Sequence, residues 1–196
     1  MKKVCVFCSS SSTLDKKYYS DAEELGVLLA NAKYDIVYGG SSIGTMYTVA
    51  KAAKDNGSRV YGVMPEKLYS FGVYSNECDE FFLTDGMRSR KEKLDELSDA
   101  VIAMAGGFGT LEEVSEILCH KQLGYNNKPI IFLNTNGFYN DLIKFFDNIM
   151  IKSFAKMTAA NLYYVANTPK EAVDYLLNYE YGDKVVRPED IYTMAK

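Results

Sequence analysis

Seven short runs rich in Val, Ile, Tyr and Phe, namely KVCVF, YDIVY, RVYGV, EFFLT, AVIAM, PIIFL and LYYVA, alternate with longer stretches of helical character. This alternation constrains the fold more than any other feature of the chain. A strand that is followed by a helix-length connection returns parallel to its predecessor, and the helix covers one face of the sheet. The helical stretches are predicted at Lys16–Asn31, Gly44–Asn56, Met87–Leu97, Thr110–Leu123, Phe138–Ile149 and Pro169–Asn178. The expected fold is therefore α/β: a single-domain, Rossmann-like, doubly wound parallel sheet of about seven strands flanked by helices, spanning residues 1–196. A length of 196 residues with 47% hydrophobic content suits one domain with a full core.

Some boundaries carry their own chemistry. Thr168, Pro169 and Glu171 read as an N-cap, a first-turn proline and a capping-box partner, which fixes the start of the last helix. Met64–Asp79 lacks periodicity and predicts a long connection across one end of the sheet, a common border for a site.

Charge excludes several function classes. A net charge of -4 and a pI near 5.1 provide no broad footprint for a nucleic acid polymer or an anionic membrane. The apolar runs, about five to seven residues long, fall far short of the roughly 20 that cross a bilayer. The start MKKVCVF runs directly into a strand pattern, so a cytoplasmic protein is expected. The four cysteines, Cys5, Cys8, Cys78 and Cys119, lack the density and spacing of a disulfide framework, which predicts reduced thiols.

In open parallel sheets ligands bind beyond the carboxyl ends of the strands. Three turns there qualify: Ser9 to Thr13 after the first strand, Gly39 to Thr45 after the second, and Ala105 to Thr110 after the fifth. The third is the strongest. Gly106, Gly107 and Gly109 let the backbone approach an oxyanion, and a helix starting at Thr110 aims its free N–H groups at it. Tight turn geometry alone also yields such glycines. The second turn has adjacent glycines, Gly39 and Gly40, in place of GxGxxG, and no Lys-Ser or Lys-Thr pair follows either glycine turn, which argues against dinucleotide binding and ATP hydrolysis.

Glu113 stands three residues after Thr110, in reach of a ligand at the turn and equally at capping-box spacing, so catalysis and capping are both open. Arg88, Arg90 and Lys91 start the helix after strand four, adjacent to strand five if the strands are ordered regularly. They suit a phosphate there, or they form a solvated face balanced by Glu92, Asp95 and Glu96.

Together these motifs resemble the LOG, or "lonely guy", phosphoribohydrolases, often labelled lysine decarboxylases, with the signature PGGxGTxxE and an upstream MHxRK. The resemblance runs from Val4–Ser10 through Val37–Gly40, Met87–Lys91, Ser98–Ala100 and Gly106–Glu113 to Gln122–Gly124 and Lys128-Pro129. It implies a Rossmann-like homodimer that hydrolyses nucleoside 5′-monophosphates, such as AMP or cytokinin nucleotides, to free base and ribose 5-phosphate with no cofactor and no metal. Carried over by position, Arg90 and Glu113 are the catalytic pair. Gly39, Gly40, Lys91, Gly106, Gly107, Phe108, Gly109, Thr110 and Glu112 form the candidate substrate-binding set. The chain departs from the pattern at Arg88, Ala105, Cys119 and His120, and Gly72 falls where a family glutamate is expected.

The rival reading is a non-catalytic nucleotide sensor or carrier; retention of Arg90 and Glu113 favours the enzyme. Pyridoxal-dependent decarboxylation has no recognisable anchoring lysine. Cys5-x-x-Cys8 is read as a pair of buried thiols, and the neighbours Cys119 and His120 as surface or packing residues. Tyr163, Tyr164, Tyr175, Tyr179 and Tyr181 are read as core or dimer packing, and the helices Gly44–Asn56 and Thr110–Leu123 as a dimer face.

Overall fold

The computed structural model describes residues 2–180. Seven strands, β1 (Lys3–Phe7), β2 (Asp35–Tyr38), β3 (Val60–Pro65), β4 (Glu80–Thr84), β5 (Ala100–Ala103), β6 (Ile130–Leu133) and β7 (Tyr164–Ala166), form one sheet in the order β4-β3-β2-β1-β5-β6-β7. Every strand pair in it is parallel. The helices are α1 (Lys16–Asn31), α2 (Gly44–Asp55), α3 (Glu66–Tyr69), α4 (Met87–Glu96), α5 (Phe108–Gln122), α6 (Asn140–Ile151) and α7 (Pro169–Leu177).

Side chains alternate strictly across the buried strands, as a sheet covered on both faces requires. Val4 and Val6 of β1 join Ile36, Ile102 and Ile131 in a core beneath α1, α2 and α7. Their neighbours Cys5 and Phe7 point the other way, with Val37, Val63, Val101 and Phe132, into a second core that includes Leu94 of α4 and Val114 and Ile117 of α5. The chain winds outward from β1 to the β4 edge, then returns to β5 and winds to the other edge. The switch point lies between β1 and β5, paired from Val4↔Ala100 to Phe7↔Ala103.

Three expectations need correction. Strand four does not neighbour strand five: β4 is an edge strand, with β3, β2 and β1 between it and β5. The connection of 66–79 is not featureless, since it contains α3 and folds back on the second glycine turn through the bridge Ser41↔Tyr74, with Ser42 N donating to Val73 O and Ser75 N to Gly40 O. At α7 Thr168 caps as expected, accepting from Glu171 N at 3.2 Å, but the Glu171 carboxylate accepts from Asn167 N at 2.7 Å and so closes the motif one residue earlier.

No helix among the described residues is long and apolar enough to cross a membrane. Cys5 in β1 and Cys8 just beyond it face opposite sides of the sheet, and burial pushes the Cys8 thiol up to about 12 and the Cys5 thiol well above its usual range. Tyr164 stacks on Tyr175 with ring centroids 4.2 Å apart, and Tyr163 packs edge-on against Phe132, so these rings serve the core; Tyr181 lies outside the described residues.

Candidate active site

The site is built at the switch point, where the turns after β1 and β5 face each other. Helix α5 begins at Phe108 with Gly107 in extended conformation before it, two residues earlier than its sequence suggests. Thr110 is therefore inside the first turn and not its cap. No side chain caps α5, so the first N–H groups, Phe108 to Thr110, remain for a ligand. A Cβ added at Gly107 or at Gly109 would meet no atom within 4 Å. Packing does not require these glycines; the open space beside the helix terminus suits an anion.

Glu113, one turn further on, does not cap the helix. Its Oε1 accepts from Arg90 Nη1 of α4, and both side chains are buried, at 4% and 6% exposure. Arg90 Nε donates to Val63 O at 3.2 Å, which anchors the guanidinium over the end of β3. Burial raises the Glu113 carboxyl above its usual range, and the adjacent Arg90 charge opposes that rise. The cation reaches the turn after β5 because α4 packs across β3 on its way back from the edge. Of the three cations expected to converge there, Arg90 and Lys91 reach α5, by a crossover and not by strand adjacency, and Arg88 does not.

The other candidates take distinct places. Gly39 faces the same arginine, since an added Cβ would collide with Arg90 Nη2. Gly40, at φ +72°, packs against the Phe81 ring. Lys91 spans from α4 to α5, pairing with Glu112 and Glu116, so its charge is committed to carboxylates. Phe108 is 92% exposed at the rim of the turn. A small cleft of about 230 Å³ is lined by Ser9, Leu14, Tyr18, Phe138 and residues 105–107. Thr110 Oγ1 points away from the open side and donates to Cys8 O at 3.1 Å.

Arg88 and His120 line a separate groove between α4 and α5, where His120 Nδ1 stands 3.5 Å from Asp95 Oδ2. Cys119 faces an apolar cavity elsewhere, with Leu118, Phe146 and Tyr163. The two neighbours diverge as their helix geometry dictates. Among the described residues, no group of three or more His, Cys, Asp or Glu is placed to hold a metal ion.

Sequence reasoning missed Thr45, whose buried hydroxyl bonds both the N–H and the carbonyl of Ser9, at 3.1 and 3.2 Å. The signal was present: Gly39-Gly40 followed by Gly44-Thr45 repeats, with a longer spacer, the Gly106-Gly107 and Gly109-Thr110 of the third turn.

An open parallel sheet with an uncapped helix terminus at its switch point and a buried Arg–Glu pair beside it defines a Rossmann-like protein for phosphorylated ligands. The sequence pattern of the family described as "Possible lysine decarboxylase" matches residues 46–176. The chain belongs to that family, which is the LOG family. It is 37% identical over 195 residues to a probable cytokinin riboside 5'-monophosphate phosphoribohydrolase of Oryza sativa subsp. japonica, covering 100% of this chain and 78% of that protein. A cytokinin riboside 5'-monophosphate phosphoribohydrolase of Arabidopsis thaliana is 38% identical over 178 residues, covering 91% of this chain and 83% of that protein. Among solved structures, the molybdenum cofactor carrier protein of Chlamydomonas reinhardtii shares the fold, with a TM-score of 0.71 and 24% identity over 90% of this chain and 96% of that one.

Proposed function

We propose that this protein hydrolyses the N-glycosidic bond of a nucleoside 5′-monophosphate, of the AMP or cytokinin nucleotide type, releasing free base and ribose 5-phosphate. The observation that carries the reading is the buried pair of Arg90 and Glu113 one helical turn below an uncapped, glycine-flanked helix terminus. Relatives named as phosphoribohydrolases over nearly the whole chain support it.

In this reading the 5′-phosphate sits against the N–H groups of Gly107 to Thr110, with the glycines leaving it room. The ribose then lies towards Glu113. Breaking the C1′–N bond sends its electron pair to the base nitrogen and leaves oxocarbenium character on the sugar, which a carboxylate stabilises. A water oxygen bonds to C1′, one of its protons passes to Glu113, and Glu113 hands that proton on to the departing base nitrogen, which restores the carboxylate. Arg90 keeps Glu113 ionised and aimed, because its Nε and Nη1 are both fixed. Gly39 seats the arginine, Gly40 lets the second turn close on the Phe81 ring, Lys91 and Glu112 brace α4 against α5, and Phe108 borders the base or sugar at the rim. The reaction needs no cofactor.

A nucleotide carrier would share the fold without needing the ion pair, and no feature of the site favours it. A homodimer suits the exposed apolar side chains Phe145, Ile151, Phe154 and Met157, which lie at α6 and just beyond it and not on α2. We place the protein in the cytoplasm. The activity is tested by incubating purified protein with AMP and with a cytokinin riboside monophosphate, following base and ribose 5-phosphate by chromatography. Nucleotide binding without base release would shift the assignment to the carrier.

A further inference from the structure

Helices α2 and α5 lie on opposite faces of the sheet, yet their first turns converge on the same stretch of backbone at the end of β1. From one side, Thr45 Oγ1 accepts from Ser9 N and donates to Ser9 O, and Met46 N adds a bond to that carbonyl at 3.1 Å. From the other, Thr110 Oγ1 donates to Cys8 O. Both threonines are buried, at 1% and 4% exposure. Each hydroxyl has a single hydrogen, and each has spent it on a main-chain carbonyl.

The glycine before each threonine turn makes the approach possible. At Gly44, with φ +69°, an added Cβ would lie 2.8 Å from Ser10 Cα. At Gly106, an added Cβ would collide with the Thr110 hydroxyl itself. Beyond this clamp, Ser10 N has no acceptor among the described residues, whereas the next N–H, that of Ser11, turns back to Ser9 Oγ at 3.0 Å. Ser9 shares the cleft with Ala105, Gly106 and Gly107.

We infer that Thr45 and Thr110 are positioning residues for the phosphate end of the ligand: their hydroxyls fix the backbone of Cys8 to Ser10 against the α5 terminus and do not touch the ligand. This rests on the phosphate placement above. It assigns Thr45 a role although it is sealed from the cleft, and it limits direct ligand contact by Thr110 to its N–H.

The test compares Thr45→Val, Thr110→Val, the double variant, and the conservative Thr45→Ser and Thr110→Ser. Two quantities are read: steady-state AMP hydrolysis, and binding of ribose 5-phosphate by calorimetry, which needs no turnover. Losing one such hydrogen bond raises KM, and weakens ribose 5-phosphate, about fivefold in each valine variant, with kcat within about twofold. The serine variants restore wild-type values, and the double variant is no weaker than about the worse single one, since both act on one backbone segment. Alanine variants replace any valine variant that melts early. Unchanged affinity in the single variants overturns the inference, as do two losses that multiply in the double variant. If wild type binds ribose 5-phosphate but does not hydrolyse AMP, the hydrolase assignment falls while the binding series still decides this one; a wild type that binds no ribose 5-phosphate overturns this inference and leaves the hydrolase assignment to base release.

Discussion

Arg90 and Glu113 lie 23 residues apart in sequence, on different helices, and meet as an ion pair from which water is almost wholly excluded. Such pairs add little net stability, because desolvation offsets attraction, but removing one partner strands a charge. The proposed function explains the pair by what a fixed, dry carboxylate does beside the proposed phosphate site, which stability alone does not.

Glu113→Gln keeps the shape and an oxygen for Arg90 but loses the charge. We predict that kcat on AMP falls roughly 10²- to 10⁴-fold, the range typical of general acid–base groups, and that the melting temperature falls as well, because the buried Arg90 charge loses its counter-ion. Steady-state kinetics with calorimetry on the same preparation checks this; retained turnover would remove Glu113 from the chemistry.

Burial raises the Glu113 carboxyl above the ordinary glutamate value of 4.5, with Arg90 only partly opposing. The working form is the carboxylate, so activity is present above the folded pKa and is lost as pH falls through it. The acid limb of kcat/KM should therefore turn over above pH 4.5, not below. A pH profile in constant ionic strength decides, and a limb that breaks well under 4.5 contradicts the assignment.

Gly39→Ala places a methyl group where Arg90 Nη2 now sits. The arginine must move, and the bond from its Nε to Val63 O is the one most exposed to that shift. We expect at least a tenfold loss in kcat/KM, about 1.4 kcal/mol of transition-state binding. Wild-type kinetics in this variant would show that the arginine's seat is not needed.

Gly109 presents the opposite case. It lies within the first turn of α5 with open space where a side chain would be. Alanine there should stabilise the protein by up to about 1 kcal/mol and at the same time raise KM, since the methyl occupies the ligand's approach. Thermal melts and kinetics must move in opposite senses; a variant improved in both would mean that the open space serves no ligand.

Much of this was legible in the sequence. The strands and most helices follow from apolar periodicity, and the Arg90–Glu113 pairing from family motifs. Strand order was not, because nothing local in EFFLT states that β4 is an edge. The start of α5 was misjudged by two residues because glycines at 107 and 109 mask a helix whose first turn is set by its packing. Thr45 was overlooked because its partner, Ser9, is 36 residues away and the bond is to main chain, which no side-chain pattern reveals.

The placement of β5 beside β1 has a consequence for synthesis. Cys5 pairs in register with Val101, and the hydroxyl that secures Cys8 comes from residue 110. In the strand order the half made of β1 to β4 ends on the free edge of β1, and the ligand cradle cannot close until the fifth strand has emerged and paired with that edge. Nucleotide capture thus reports on the whole topology at once: ligand should protect the protein from global unfolding, by mass action, and no fragment that stops before α5 should bind it.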